Sequence, residues 1–152
     1  MEKVEMEAFA VIGREGSTLD GSGFVQRLWQ EADAHFGEIS ELAARNEDGT
    51  LKGMWGAMSD LSRCFKPWED NFSKGLYLAG VECPISAEAP TGWTKWIVPA
   101  YECLVVECVN GDTFSETIKY MRENGYELGG AANDFTCPST KKNYIYFPIK
   151  RL

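Results

Sequence analysis

The sequence predicts an α+β fold made of two strand–helix–strand–strand halves that share an antiparallel sheet with two helices and a central ligand cleft. Three observations carry that expectation. Short runs rich in β-branched and aromatic residues recur along the chain. Two stretches with helical apolar spacing interrupt them. The order of elements then repeats, once over about residues 6–83 and again over about 96–151, with no strong residue identity between the copies. Consecutive strands joined by short links are expected to pair antiparallel. At 152 residues the chain is read as one domain, 1–152, long enough to bury a core without disulfide or metal staples.

Residues 6–13, MEAFAVIG, read as the first strand. Gly13, Gly16, Gly21 and Gly23 then break the chain, and Ser22 is placed to cap the next helix. GREGSTLDGSG lacks the spacing of a phosphate loop and is read as a flexible connection. Phe24, Leu28, Ala32, Phe36, Ile39 and Ala43 mark a helical stripe, ended by NEDGT at 46–50. A second strand is expected over 51–59, where Gly53 and Gly56 mark a bulge or a close backbone approach. Residues 60–74 read as a long loop with Phe65 and Trp68 as anchors, and such a loop in a small domain is often functional. The third strand is 75–83. The second copy has a strand over 96–109, then a helix opened by a Thr113/Glu116 capping box and stopped by Asn124-Gly125. Strands over 126–136 and 143–149 complete it.

Fifteen Lys and Arg against 23 Asp and Glu leave a net charge of −8, which opposes non-specific binding of nucleic acid or anionic membrane. The N-terminus has no apolar signal core and no run approaches a membrane span, so the expected location is cytoplasmic. Five cysteines occur without a C-x-x-C, and His35 is the single histidine. These counts leave a zinc site, a Cys–His dyad and a Ser–His–Asp triad without ligands or partners, so neither metal nor cofactor is expected.

Side chains alternate along a strand, so Tyr77, Ala79, Val81 and Cys83 share a face, as do Tyr101, Cys103, Val105 and Glu107. Tyr144 and Tyr146 likewise oppose Ile145 and Phe147. Trp93 and Trp96 lie three residues apart in or beside the linker between the halves, where they either cap the core or line a cavity. The candidate ligand-binding set is therefore Trp55, Tyr77, Trp93, Trp96, Tyr101, Tyr144 and Tyr146, an aromatic lining suited to planar or cationic compounds. An ordinary aromatic core is the competing reading of the same residues. Glu82, Glu102 and Glu107 interrupt apolar strands; a Glu buried among these rings would serve as cation partner or general acid/base. Parity puts Glu107 on the Tyr101 face and Glu102 on the other, and Asp60 reads as a turn or capping residue.

GLYLAGVE, the P-x-G-W linker at Pro90–Trp93, the IVPAY that follows and the terminal YIYFPIK, in this order, resemble the GyrI-like small-molecule-binding family and the effector-binding domains of AraC-type and multidrug-responsive regulators. The resemblance covers nearly the whole chain. It implies a pseudo-twofold domain with two helices beside a concave antiparallel sheet and a central cleft for bulky aromatic or cationic compounds. The first strand begins by residue 8, so the resemblance is to the stand-alone form, which sequesters or modifies a compound. Some stand-alone members resemble hydrolases of reactive xenobiotics, and a protein partner such as gyrase is a further alternative. Many drug-binding members carry a buried Glu four residues before the Pro of the last strand; here that position, before Pro148, is Tyr144. A counter-charge would then have to come from Glu82 or Glu107, and the catalytic candidates are Glu82, Glu107 and Tyr144.

Overall fold

Eight strands form one antiparallel sheet in a computed structural model that describes residues 1–152. They are β1 (Glu2–Met6), β2 (Phe9–Ser17), β3 (Met54–Ser59), β4 (Leu76–Cys83), β5 (Thr94–Val98), β6 (Tyr101–Glu107), β7 (Asn133–Thr136) and β8 (Asn143–Arg151). Their order across the sheet is β1-β6-β8-β7-β3-β4-β2-β5. Two helices of 11 residues, α1 (Phe24–Ala34) and α3 (Thr113–Glu123), follow β2 and β6; a single turn, α2 (Glu69–Phe72), lies in the β3–β4 loop. The α+β class and the repeated order are thus present as β2–α1–β3–β4 and β6–α3–β7–β8, joined where β3 pairs with β7. No helix is long and apolar enough to cross a membrane.

The chain connections show that the sheet curls. Only Glu7 and Ala8 separate β1 from β2, yet the two strands stand at positions one and seven of the sheet. In a flat sheet six spacings would part them by about 29 Å. The three peptide steps from Met6 to Phe9 span at most about 11 Å. Pro99 and Ala100 impose the same closure between β5 and β6. Each leading strand therefore pairs with the opposite half, β1 on β6 and β5 on β2.

Curling divides the side chains into an inner and an outer set. The inner core gathers Val11, Trp55, Leu78, Trp96, Val98 and Tyr101 from both ends of the sheet, as expected of a small barrel filled by its own side chains. On the outer face α1 covers Ile12, Val81 and Cys83, and α3 covers Leu104, Ile145 and Phe147. The helices sit on the convex side, over separate cores.

Several local expectations change. The strand read over 96–109 is two strands, because Pro99 lacks the N–H a continuous ladder needs and the chain crosses from one sheet edge to the other. β1 lies ahead of the expected first strand, and the strand read over 126–136 shrinks to β7. The first helix stops at His35 and continues as 3-10 turns at Phe36–Glu38 and Ser40–Leu42; Gly37, worth about 1 kcal/mol less than Ala in a helix interior, sits at the break. Ser22 does not cap α1. Gly23 holds the N-cap at φ +77°, and Arg27 reaches back to the Ser22 and Asp20 carbonyls. The capping box at α3 is also absent: Asp112 is the N-cap, and the Thr113 hydroxyl accepts from the Val109 and Asn110 amides.

Asp60 organises the β3–β4 loop, as its reading as a turn residue anticipates. Its carboxylate accepts from the Ser59 and Ser62 hydroxyls and the Cys64 and Lys66 amides. Burial pushes this acid up, but those donors outweigh it and hold it at about 2. The loop then sends Phe65 inward against Trp96 (5.8 Å between ring centroids) and Trp68 to the outer face, its indole donating to the Leu76 carbonyl at 3.0 Å.

Candidate functional site

The inner face has its rings in contact. Trp55 is 2% exposed and lies 4.6 Å from Phe9, 4.7 Å from Phe135 and 5.1 Å from Tyr146. Trp96 and Tyr101 are equally buried in the same cluster. The two inner indoles are closed off by carboxylates: Trp55 Nε1 donates to Glu82 at 3.0 Å and Trp96 Nε1 to Glu15 Oε1 at 2.8 Å, an oxygen that also accepts from Arg63 Nε at 2.9 Å. This set is a filled core with both indole N–H groups satisfied, and Glu82 is committed to one of them.

The open space lies on the outer face, where the two helices part. Its floor is the central strands. β4 contributes Tyr77, β3 Met58, β7 Asp134 and β8 Ile145; α1 supplies Val25 and Trp29 as one wall and α3 supplies Phe114 as the other. A cavity of about 300 Å³ lies on the α3 side, lined by Met58, Trp68, Phe72, Phe114 and Leu128 among others. A second of about 310 Å³ lies on the α1 side, bounded by Val25, Trp29, Tyr77, Thr136, Asn143 and Tyr144. Asp134 and Ile145 belong to both. These two residues face each other across the β7–β8 pair, so they form the ridge between the cavities.

Asp134 is the charged group of this floor. Part of its surface reaches the cavities, while protein atoms crowd the carboxylate on its other sides. That burial pushes its acid up to about 6, against the pull of the Tyr77 hydroxyl, which donates to Oδ2 at 3.2 Å. Trp29 Nε1 donates in turn to the Tyr77 oxygen at 3.1 Å. Burial and the neighbouring carboxylate drive the Tyr77 phenol far above its ordinary range, so it remains a donor at any physiological pH.

A glycine makes this chain of bonds possible. Tyr77 stands on β4, and its ring crosses β3 to reach β7. It passes over Gly56, where an added Cβ would come within 1.8 Å of the phenol oxygen. The Gly56 interruption of the second strand is therefore a close approach, of a ring rather than of backbone. Trp29, Tyr77 and Asp134 link α1 and the first half to the second half of the sheet.

The arrangement has two chemical capacities. An anion beside apolar and aromatic walls attracts an organic cation, and a carboxylate of raised pKa hydrogen-bonded to a phenol has the make-up of a general base.

No family model matches the sequence, and no curated protein sequence matches it either. Solved structures do. SAV2435 bound to tetraphenylphosphonium superposes with a TM-score of 0.63 at 17% identity, over 98% of this chain and 93% of that one. A candidate transcription regulation protein of Staphylococcus aureus MU50 gives 0.59 at 17% identity, over 98% and 97%. The chain in the EcmrR–DNA complex gives 0.58 at 8% identity, covering 99% of this chain and 57% of that one. These likenesses show a shared fold. It is the architecture expected from the GyrI-like resemblance.

The seven aromatic candidates do not form one surface. Trp55, Trp96, Tyr101 and Tyr146 pack inside the curled sheet. Trp93 lies in the core beneath α1, its indole donating to Glu38 at 3.0 Å and its ring 4.2 Å from the Arg14 guanidinium. Tyr77 alone enters the floor of the outer groove; Tyr144 borders its rim, but its ring turns to the inner face, 6.3 Å from Phe135. Glu107 is exposed and pairs with Lys142 at 3.6 Å, away from Asp134. Sequence reasoning passed over Asp134, Trp29 and Phe114 because each sits in a segment read for its secondary structure alone. The signal that could have found Asp134 is Gly56, since a strand glycine leaves room for a ring to cross it.

Proposed function

We propose that this protein binds a small aromatic cation in the outer groove between α1 and α3, with Asp134 as counter-charge. The observation that carries the reading is a half-buried carboxylate on the floor shared by two cavities, with Tyr77 as its hydrogen-bond donor. An ion pair formed there is shielded from water on the protein side and so is worth more than one at the surface. Trp29, Trp68, Phe72 and Phe114 offer rings to a planar ligand around it. SAV2435, which shares the fold, is described bound to tetraphenylphosphonium, a bulky aromatic cation.

The test is the Kd of tetraphenylphosphonium by isothermal titration for the wild type and for Asp134→Asn. Affinity is expected to fall at least about tenfold in the variant, since a charge is left without its partner. Wild-type affinity should weaken as the pH drops through about 6 and Asp134 takes up its proton, whereas the variant should be indifferent to pH there. Equal affinities in the two proteins would sink the proposal.

A second reading, hydrolysis of a reactive aromatic electrophile, draws on the same pair. An acid near 6 is matched to general-base work at neutral pH, and Tyr77 would steady the attacking water or the leaving oxygen. Turnover that disappears in both Asp134→Asn and Tyr77→Phe favours it; binding without turnover removes it.

A further inference from the structure

We infer that the ligand is an elongated cation with two unlike arms, an apolar ring arm for the α3-side cavity and a hydrogen-bonding arm for the α1-side cavity, its positive centre on the Asp134 ridge. The inference rests on the reading of the groove as a cation site and specifies what the site selects.

Size and chemistry support it separately. Cavities of about 300 and 310 Å³ each stand at the lower limit of small-molecule sites, which run from about 300 to 1,000 Å³. Together they suit a ligand that straddles the ridge. The linings differ. On the α3 side, Asp134 is the one polar side chain among apolar residues. On the α1 side, Tyr77, Cys108, Thr136 and Asn143 bring polar groups. The Thr136 hydroxyl donates to Asn143 Oδ1 at 2.8 Å, which fixes the amide and leaves its NH₂ as donor. An apolar arm placed there would strip water from these groups and return nothing, whereas an arm with a hydroxyl or carboxamide would replace it. The carboxylate lies between the two linings, so the charge belongs in the middle of the ligand and not at its end.

Matched probes test this on the full-length chain. One is a naphthylmethyl-dimethylammonium with a carboxamidopropyl arm; the other carries a butyl arm in its place. The carboxamide probe is expected to bind about tenfold tighter or better, the scale of one satisfied hydrogen bond at a partly buried site. Val25→Trp, which fills the α1-side cavity, should erase that preference. Asn143→Leu, at an exposed strand end where folding is not at stake, should reduce it. Leu128→Trp, on the other side, should weaken both probes alike. Equal affinities for the two probes, with Asp134→Asn still weakening both, would overturn the two-arm inference and leave the cation site standing. Failure of both probes and of tetraphenylphosphonium to bind would remove the site and the inference together.

Discussion

Two aromatic regions lie back to back on this sheet, and they are in opposite states. On the inner face Trp55 has three rings within 5.1 Å and no space beside it. On the outer face Trp29, Trp68, Phe72 and Phe114 stand around two cavities. Composition does not separate them, since both are rich in Trp, Tyr and Phe. Curvature does. Side chains on the inside of a curled sheet converge and must touch, while those outside diverge, and two helices laid on the divergent side part over the central strands. An aromatic strand residue is therefore core or cleft according to the direction in which its sheet bends.

Truncating one ring in each region should break the comparison first. Trp55→Ala is expected to cost about 3–5 kcal/mol of unfolding free energy, because it empties a closed core. Trp29→Ala, at a half-buried position beside a cavity, should cost about 1–2 kcal/mol and act mainly on ligand affinity. Urea unfolding of the two variants checks the order, and comparable losses would contradict the assignment of core and groove.

Gly56→Ala should have the next largest effect. The added methyl would meet the Tyr77 phenol, so the ring must leave Asp134. A stability loss of about 1–3 kcal/mol is expected. A clearer mark is the loss of cation affinity in a chain whose inner core is untouched, shown by unchanged near-ultraviolet signals from Trp55 and Trp96.

Asp134→Asn sharpens the comparison by pH. In the folded chain this acid is held at about 6, against an ordinary value of 3.8, so between those values the folded state binds more protons than the unfolded one. Wild-type stability should therefore fall as the pH rises from about 4 to about 6 and stay lower above that. The variant keeps an oxygen for Tyr77 and escapes the penalty. It should be more stable at pH 7 by roughly 1–2 kcal/mol, less than the whole shift implies because one side of the carboxylate meets solvent, and the gain should vanish by about pH 4. Denaturation midpoints across that range test it.

Thiols give the smallest and most local contrast. Cys103, on the inner face, is pushed by burial up to about 12. Cys137, in the β7–β8 turn, is lowered to about 7 by hydrogen bonds from the Thr140 side chain and the Thr140 and Ser139 backbone. Iodoacetamide at pH 7.5, a pH chosen to lie about half a unit above that value, should label Cys137 first, and Cys103 only as fast as the whole chain unfolds. Early labelling of Cys103 would mean that the inner face opens.

Much of the scaffold could be read directly. Tyr101, Cys103, Val105 and Glu107 share a face as their alternation requires, and Phe65 and Trp68 anchor the β3–β4 loop in opposite directions. The site could not be read in the same way. Asp134 lies in a strand of four residues, too short to show alternation; its partner Tyr77 is 57 residues away, and Trp29, which donates to Tyr77, is on another element.

The sequence by itself determined the periodicities, and through them the α+β class, the two-fold order of elements and the parity of each strand, because those depend on neighbours one to four residues apart. Tertiary structure alone decided which parity turned inward. Two-residue links at Glu7–Ala8 and Pro99–Ala100 join strands six places apart, and only the closure they force sets one aromatic face against itself and opens the other around Asp134.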